Sequence, residues 1–333
     1  MYLRYYGLKR HPFHITPDPE FLFLSPSHKE AFAAMVYGIE TRKGFITVTG
    51  EVGTGKTTVL RAGLEQLRSD KLGVVYFFNP EITFEDLLQN LLKELGQSSK
   101  GKKVSWMLDC LHWILINHYR RGCNIVLVID EAQNMPTATL ERLRVLSNLE
   151  TSTQKLLQVV FVGQPEFDAK LRQHSLRQVA QRIAVRATLK PLGRSESEQY
   201  IRHRIACAGG YASRVFSAGA MNTAIKYGRG IPRRLNVLCD NALIAGYASH
   251  TKPISSQVIH QVAGDLYAKF SCRYLRWVIP AVGMLALSTC SLDSSPFIQR
   301  TATPAVATQA WQADNAQLQQ QPTTLGTDND EDL

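Results

Sequence analysis

The stretch GEVGTGKTT, residues 50–58, joins an apolar segment to an amphipathic one. It fits the pattern G-x-x-x-x-G-K-[ST], with Gly50, Gly55, Lys56 and Thr57 in register. The FITVT segment before it is typical of a strand, and the TTVLRAGLEQL segment that it opens is typical of a helix. Because the motif requires that context, it predicts a phosphate-binding P-loop rather than a chance glycine-rich turn.

The residue types of this P-loop suit phosphate binding for separate reasons. Glycines let backbone N–H groups close around phosphate oxygens, and the amino end of the following helix adds a favourable potential. Lys56 can reach the outer phosphates, while the Thr57 hydroxyl can ligate magnesium. No N-K-x-D guanine-reading motif occurs, so we expect the cofactors to be ATP and Mg2+. The predicted nucleotide-binding residues are Gly50, Glu51, Val52, Gly53, Thr54, Gly55, Lys56, Thr57 and Thr58.

A second motif, IVLVIDEAQ, places two carboxylates directly after an apolar strand. The carboxyl ends of parallel strands are where open α/β sheets bind ligands. Asp130 is therefore expected to hold magnesium, together with Thr57, and Glu131 to polarise the attacking water as a general base. The alternative is an acidic helix N-cap. Together the two motifs predict a nucleoside triphosphatase.

Strand-like and helix-like segments alternate in the first two thirds of the chain. Such alternation favours a parallel sheet between two layers of helices. From Ser195 to about Lys269 the strand pattern disappears, and a second, all-helical region is predicted. The predicted strands are FITVT (45–49), GVVYFF (73–78), NIVLVI (124–129), LQVVFVG (157–163) and RIAVRATL (182–189).

Charge is distributed unevenly along the 333 residues. The total charge is +10. Residues 277–333 contain one basic and six acidic residues and so carry about −5, which means that residues 1–276 carry about +15. A basic body of this kind is attracted to nucleic acid or to an anionic membrane surface. The six cysteines include no C-x-x-C pair, and the charged N-terminus does not match an export signal, so a reducing, cytosolic environment is expected.

The stretch RYLRWVIPAVGMLALSTCSLDSS contains sixteen consecutive residues without a formal charge. With the residues that flank this run, it predicts a possible single transmembrane helix at 274–292. Basic residues precede it and Asp293 follows it, which places the preceding region in the cytosol. Pro280 and a polar cluster at 288–291 would also suit a peripheral or lid-packing helix, and this alternative stays open.

Several segments together resemble one family. They are YYGLKRHPFHITPDPEFLFLSPSHKEA, GEVGTGKTT, VLVIDEAQNM, VFVGQPEF, LRQVAQRIAVRATLKPL and GRGIPRRLNVLCDNAL, and they resemble the AAA+ ATPases of the general secretion pathway protein A type. The resemblance covers roughly residues 1–270. It implies an α/β fold, an AAA+ P-loop NTPase with a five-stranded αβα parallel-sheet core and a C-terminal helical lid, and it implies assembly into homo-oligomers.

The resemblance also implies roles for residues that spacing alone does not assign. Gln164 matches the polar sensor that orients water near the γ-phosphate. Arg182 is expected to act as an arginine finger on a neighbouring subunit, with Arg177 as the alternative. Arg233 matches the second sensor, although Arg234 beside it leaves the register open by one. The arm around Phe13 and the helix from His28 are expected to help enclose the adenine, unless their apolar residues only pack.

Five regions follow from these observations. They are an N-terminal arm and helix packing on the core (1–44), an AAA+ αβα ATPase core (45–192), a helical lid (193–270), a possible single transmembrane helix (274–292) and a disordered acidic tail (293–333).

The resemblance predicts an ATP-hydrolysing enzyme on the cytoplasmic face of the inner membrane, single-pass, with its ATPase domain in the cytosol. Its expected partners are further copies of itself and envelope secretion or pilus assembly proteins, for which it would be a motor or assembly factor. The alternative is a DNA-associated AAA+ ATPase, a regulator of transposition or initiation, but no dense Lys/Arg run with interleaved aromatics supports nucleic acid as a partner. A non-hydrolysing nucleotide switch is a third option, which Glu131 disfavours.

The end of the chain departs from the family. Full-length proteins of this type carry a peptidoglycan-binding module beyond the membrane segment, and residues 293–333 are too few and too polar for one. We therefore do not carry cell-wall binding over to this chain, which would be either a short relative or a truncated one.

Overall fold

The computed structural model describes residues 2–16, 18–68, 70–78 and 80–267. The predicted membrane segment at 274–292 and the predicted tail at 293–333 lie outside the described residues. Within the part that is described, no helix is both long enough and apolar enough to cross a membrane.

The described residues form a single sheet with helices before, between and after its strands. The strands are β1 (Phe45–Gly50), β2 (Leu72–Phe77), β3 (Asn124–Ile129), β4 (Leu157–Gly163) and β5 (Ile183–Leu189). The helices are α1 (Tyr2–Tyr6), α2 (Pro26–Glu40), α3 (Lys56–Gln66), α4 (Phe84–Glu94), α5 (Val104–Arg120), α6 (Thr137–Leu143), α7 (Pro165–Leu171), α8 (Arg177–Ala180), α9 (Arg194–Cys207), α10 (Ala212–Val215), α11 (Ala218–Gly228), α12 (Pro232–Ala248) and α13 (Ser256–Tyr267).

All five predicted strands are confirmed, with bounds that agree to within one residue. The sheet is parallel throughout, in the order β2-β3-β4-β1-β5. Every residue of β1 and β4 is buried, whereas the edge strand β5 alternates between buried and exposed positions. Because the strands are parallel, the carboxyl ends of β1, β3 and β4 lie at the same edge of the sheet.

Both faces of the sheet are covered by helices, as the alternation of side chains along the strands requires. One face carries Phe45, Leu127 and Phe161, which share a core with apolar residues of α4, α5, α6 and α7. The opposite face carries Ile46 and Val128, which pack with α2 and α3. Burying one such side chain contributes about 1.5–3 kcal/mol of transfer free energy. The αβα architecture predicted from the sequence is therefore confirmed.

Helices α9 to α13 form a helical lid with a core of its own. Buried residues of α12 and α13, among them Leu235, Leu238 and Ile259, contribute to that core. Local residues determine where some of these helices begin. For example, Ser217 caps α11 by accepting a hydrogen bond from the Ala220 N–H. The helical region after the sheet is thus in the place that the sequence predicted.

The N-terminal arm packs differently from the expectation that residues 1–44 pack on the ATPase core. Helix α2 does pack there, but Tyr6, Leu8, Phe13 and Phe21 are buried in the core of the lid. Their aromatic and aliphatic surface is large, and the lid helices leave an apolar groove that these side chains fill. The arm is therefore part of the lid.

Candidate nucleotide-binding site

The P-loop connects the end of β1 to the first residue of α3. Gly53 and Gly55 have φ of 81° and 102°, a region that favours glycine. A Cβ at Gly50 would lie 2.8 Å from the backbone oxygen of Leu189, so this position also requires glycine. The loop therefore turns tightly and leaves the amino end of α3 pointing at the site, as phosphate binding requires.

Lys56 lies inside the turn of the P-loop. Its ammonium group donates to the backbone oxygens of Gly50 at 2.9 Å and Glu51 at 3.2 Å. Burial lowers the pKa of Lys56, although the nearby carboxylates of Glu131 and Asp130 act in the opposite direction. An anionic group bound beside Lys56 would favour its charged form.

Asp130 follows β3 at the edge of the sheet where the P-loop lies. One carboxylate oxygen accepts from the Thr57 hydroxyl at 3.4 Å, and the other accepts from the Glu131 N–H at 2.9 Å. Burial raises the pKa of the Asp130 carboxyl, with hydrogen bonding to the Glu131 N–H opposing it. Thr57 and Asp130 thus bring a hydroxyl and a carboxylate together, and these hard oxygen donors fit magnesium.

Glu131 has φ of 51°, which is unusual for a residue other than glycine. Its Oε2 atom accepts from Nε2 of Gln133 at 2.6 Å and from Nε2 of Gln164 at 3.0 Å. Burial would raise the pKa of Glu131, but the hydrogen bonds from Gln164 and Gln133, with the charge of Lys56, outweigh it and lower the pKa. The carboxylate is therefore held ionised and oriented.

Gln133 is a site residue to which the sequence analysis assigned no role. Besides its bond to Glu131, its Oε1 atom accepts from the Gln164 N–H at 3.0 Å. Lys170 secures the same loop by donating to the backbone oxygens of Gln133, at 3.1 Å, and Met135. The available signal was the position of Gln133 directly after the DEA sequence, but only the fold brings it to Gln164.

Arg233 is the second residue of α12 and contacts the P-loop. Its N–H donates to the Gly53 oxygen at 3.2 Å. A Cβ at Gly53 would lie 2.7 Å from the Cβ of Arg233, so the two segments approach closely only because residue 53 is glycine. The charge of Arg234 instead acts on Tyr267 of α13. The structure thus places Arg233, rather than Arg234, beside the P-loop.

Arg182 lies just before β5, and therefore at the sheet edge opposite to the P-loop. Its guanidinium donates to the Ser147 hydroxyl and, at 2.9 Å, to Oδ1 of Asn148. Arg177, the alternative for the same role, is exposed at the start of α8. Neither Arg177 nor Arg182 is among the residues that line the cavity beside the P-loop of this chain.

A cavity of about 410 Å³ extends from the P-loop to the arm and the lid. Val52, Gly53, Thr54, Gly55, Lys56, Thr57, Thr58, Glu131 and Arg233 line one side. The other side is lined by Ile15 and Phe23 of the arm and by Tyr200 of α9. The arm around Phe13 and the helix from His28 therefore both contribute to this cavity, while Phe13 itself is buried in the lid with its ring 6.2 Å from that of Phe216.

Arg204, which also lines this cavity, fixes the arm against the lid. From α9 its guanidinium donates to the backbone oxygens of Pro12 and His14, the latter at 3.0 Å, and it lies 4.7 Å from the centre of the Phe21 ring. Burial lowers the pKa of Arg204. The buried cation ties the wall of the cavity to a lid helix.

His28 connects α2 to the P-loop. Its Nε2 atom lies 2.8 Å from the Thr54 oxygen, which can only accept, so Nε2 carries the proton and Nδ1 accepts from the Ser25 hydroxyl at 2.6 Å. Burial lowers the pKa of His28, partly offset by the hydrogen bond to Thr54 and the charge of Glu196. The imidazole is therefore neutral at pH 7.

We expect the stability of the chain to depend on pH through His28. Since the folded pKa is below the unfolded value, this contribution is complete above about pH 6.5 and is lost as the pH falls towards the folded pKa, at about 1.4 kcal/mol per pKa unit of depression. The variant His28→Gln, which keeps a donor for Thr54, should lose less stability than the wild type between pH 7.5 and 5.5. Urea unfolding at both pH values measures the difference, and parallel losses would contradict the assignment.

Comparisons with known proteins identify the family of this chain. An AAA domain model matches residues 39–171, which include the P-loop and both carboxylates. General secretion pathway protein A of Aeromonas hydrophila is 42% identical over 267 residues, which are 80% of this chain and 47% of the relative. The chain therefore spans about half the length of the curated relative that it matches.

Solved structures share the fold at low sequence identity. The ORC2 protein of Aeropyrum pernix, in ADPNP-ADP complexes, has a TM-score of 0.59 at 19% identity and covers 81% of this chain and 75% of its own. Cdc6p of Pyrobaculum aerophilum has a TM-score of 0.58 at 17% identity and covers 78% and 73%. At these identities the likeness shows the fold alone. With the P-loop, the DEAQ sequence and the 42% identical relative, it makes the chain an AAA ATPase of the general secretion pathway protein A type.

Proposed function

We propose that this ATPase hydrolyses ATP with Mg2+ at the inner membrane and acts as a motor or assembly factor for a secretion or pilus-type envelope machinery. One observation carries the chemical part: the P-loop, Asp130, Glu131 and Gln164 meet at one edge of the sheet, beside a cavity that the lid closes. The relationship to general secretion pathway protein A supports the biological part.

In this proposal the P-loop, the arm and the lid bind ATP. In this proposal Lys56 exchanges the backbone oxygens that it contacts for β- and γ-phosphate oxygens, and the N–H groups of residues 53–58 surround the phosphates. The Thr57 hydroxyl and the Asp130 carboxylate would hold magnesium, which neutralises charge on the phosphates when it is bound. In this proposal the adenine ring of ATP occupies the cavity between the arm and α9.

Hydrolysis needs a base that is ionised and correctly oriented. Glu131 accepts a proton from the attacking water, and the amides of Gln133 and Gln164 position its carboxylate by binding the same oxygen. Gln164 also supplies a polar group close to the reacting phosphate, in agreement with the sensor role that the resemblance implies. A non-hydrolysing switch would have no need of this arrangement.

The arginines link hydrolysis to assembly and to lid position. Arg182 of one subunit would stabilise the transition state in the site of the next, which makes a homo-oligomer the active form. Arg233, already bound to the P-loop through its backbone, would contact the γ-phosphate and report its presence to the lid. Because the arm packs in the lid core, it would move with that lid.

The place of action is tested by membrane extraction. If residues 274–292 insert as the sequence predicts, we expect the 333-residue chain to sediment with inner membranes and to resist high-salt and alkaline washes. The matched variant Leu285→Arg/Leu287→Arg should become extractable, since each arginine at a helix centre costs about 2.5–3.5 kcal/mol on insertion.

Other outcomes of this experiment would favour different functions. A chain that stays in the soluble fraction, and that binds DNA with an affinity that falls steeply with salt, would contradict the membrane proposal. It would instead favour the DNA-associated ATPase, which the basic charge of residues 1–276 also supports.

A further inference from the structure

Two tryptophans lie exposed on the same side of α5. Trp106 and Trp113 are seven residues apart, so they share a helix face, and their exposed fractions are 39% and 65%. Asp109 and Arg120 are exposed on that face too. We call Trp106, Asp109, Trp113 and Arg120 the α5 face. The opposite side of the helix, with Met107 and Leu111 among others, is buried against the sheet and α4.

The exposure of these rings calls for a physical explanation. A buried tryptophan removes roughly 150–250 Å² of surface from water, so leaving two of them exposed forgoes a large gain in free energy. Neither ring lines the nucleotide cavity, and α5 contributes no residue to the site described above. The α5 face therefore lies outside the candidate nucleotide site.

Positive charge surrounds the α5 face. Lys100, Lys102 and Lys103, in the turn before α5, are all exposed, and the Lys102 ammonium lies 5.4 Å from the centre of the Trp106 ring. Arg120 and Arg121 are exposed at the other end of the helix. Asp109 is the acidic residue of the face itself. The partner of this surface must therefore be anionic and able to accept indole rings.

We infer that the α5 face binds the interface of a membrane that contains anionic phospholipids. Tryptophan is favoured at the level of lipid headgroups because its ring is apolar and its N–H is polar. Lysines close to an anionic surface each strengthen binding about fivefold. Lys102 lies over the Trp106 ring, and Lys100 and Lys103 are exposed in the same turn, so these lysines can contact lipid phosphates while the indoles enter the interface.

The shape of the face distinguishes lipid from nucleic acid. Proteins that bind single strands stack successive bases on aromatic rings within a positively charged groove. Here the rings project from a convex helix and are separated by about 10 Å along its axis, because each residue advances the helix by 1.5 Å. A flat bilayer interface can accept both rings at once.

This inference deepens the membrane association proposed above and rests on it only for the presence of a membrane. The contact differs from the predicted insertion of residues 274–292. It would hold the ATPase itself against the lipid surface, through a helix that packs directly on β3. Its test must therefore report on α5 locally.

The four tryptophans of the chain allow such a test. In the variant Trp277→Phe/Trp311→Phe, fluorescence comes from Trp106 and Trp113 alone. With vesicles that contain phosphatidylglycerol, we expect emission to shift to the blue and brominated lipids to quench it, whereas pure phosphatidylcholine vesicles should have little effect.

Charge variants in this background provide the control. The triple variant Lys100→Glu/Lys102→Glu/Lys103→Glu should bind these vesicles at least a hundredfold more weakly, as measured by titrating the blue shift. Each lysine accounts for about fivefold or more of that loss in affinity. Lys9→Glu/Lys190→Glu/Lys226→Glu makes the same change in net charge at exposed positions elsewhere and should not weaken vesicle binding. Equal effects of the two triple variants would overturn the inference.

Three further results would also overturn it. Vesicles could bind the chain in flotation while leaving both tryptophans unquenched, in which case membrane association stands and the α5 face is not its contact. An oligonucleotide could quench the rings where vesicles do not, which would make the face a nucleic-acid surface. A blue shift with protein concentration alone would make it an interface between copies of the chain.

Discussion

Replacing Glu131 with glutamine is expected to leave ATP binding intact and to slow ATP hydrolysis about 10²–10⁴-fold, the usual contribution of a general base. Glutamine has nearly the same shape as glutamate, so it can still occupy the position between Gln133 and Gln164. It cannot accept a proton from water at neutral pH. The phosphate-binding groups of the P-loop and the two magnesium-binding candidates, Thr57 and Asp130, are unchanged by the substitution.

Two assays separate binding from turnover in this experiment. Phosphate release measures hydrolysis, and a fluorescent ATP analogue measures affinity. The contrasting variant Lys56→Ala should lose affinity itself, because it removes the cation inside the P-loop. Wild-type hydrolysis by Glu131→Gln would show that another group is the base, and undiminished affinity of Lys56→Ala would contradict the phosphate-binding role of Lys56.

Replacing Arg182 with alanine is expected to reduce hydrolysis about 10³–10⁵-fold, the range measured for arginine fingers, without loss of ATP affinity. In its own chain Arg182 binds Ser147 and Asn148 at the sheet edge opposite to the P-loop, so in this proposal it acts on the nucleotide of a neighbouring subunit. Removing it takes a positive charge from the transition state in that neighbour and leaves every residue of the local site in place.

Mixing two inactive variants tests whether the action is in trans. In a mixed oligomer, an Arg182→Ala subunit retains Glu131 and can receive Arg182 from an adjacent Glu131→Gln subunit. Activity should therefore reappear on mixing and follow the statistics of adjacent pairs. The matched control is Arg177→Ala, which changes an exposed arginine five residues earlier.

The control also decides between the two candidate arginines. Rescue on mixing with Arg182→Ala, together with near-normal activity of Arg177→Ala, would support Arg182 as the finger. The reverse pattern would assign the role to Arg177. Melting temperatures show whether the loss of the contacts with Ser147 and Asn148 has destabilised the chain, and the variant Arg182→Lys keeps the charge while losing the forked geometry.

Sequence patterns located the strands and the core of the site because both depend on local order. The β-branched runs at 124–129 and 157–163 are strands over the same residues, and both are buried on two faces, as their continuous apolar character predicted. The P-loop and DEAQ motifs are contiguous, and their positions at strand ends place them together in any parallel sheet of this kind.

Contacts between distant segments could not be deduced in this way. The arm has an aromatic and proline-rich sequence that indicates packing but names no partner, and the lid core rather than the ATPase core buries it. Likewise, only the tertiary structure shows that Arg233, rather than Arg234, contacts Gly53 through the turn before α12. In each case the deciding interaction joins residues more than a hundred positions apart.

By itself, then, the sequence determined the AAA ATPase fold, the P-loop and the pair of acidic residues, since hydrophobic periodicity and short motifs are properties of neighbouring residues. The tertiary structure alone decided that Gln133 and Gln164 bind the same oxygen of Glu131, that His28 holds the P-loop, and that two tryptophans of α5 stay exposed. These features depend on distances and burial, which arise only when separate segments pack against one another.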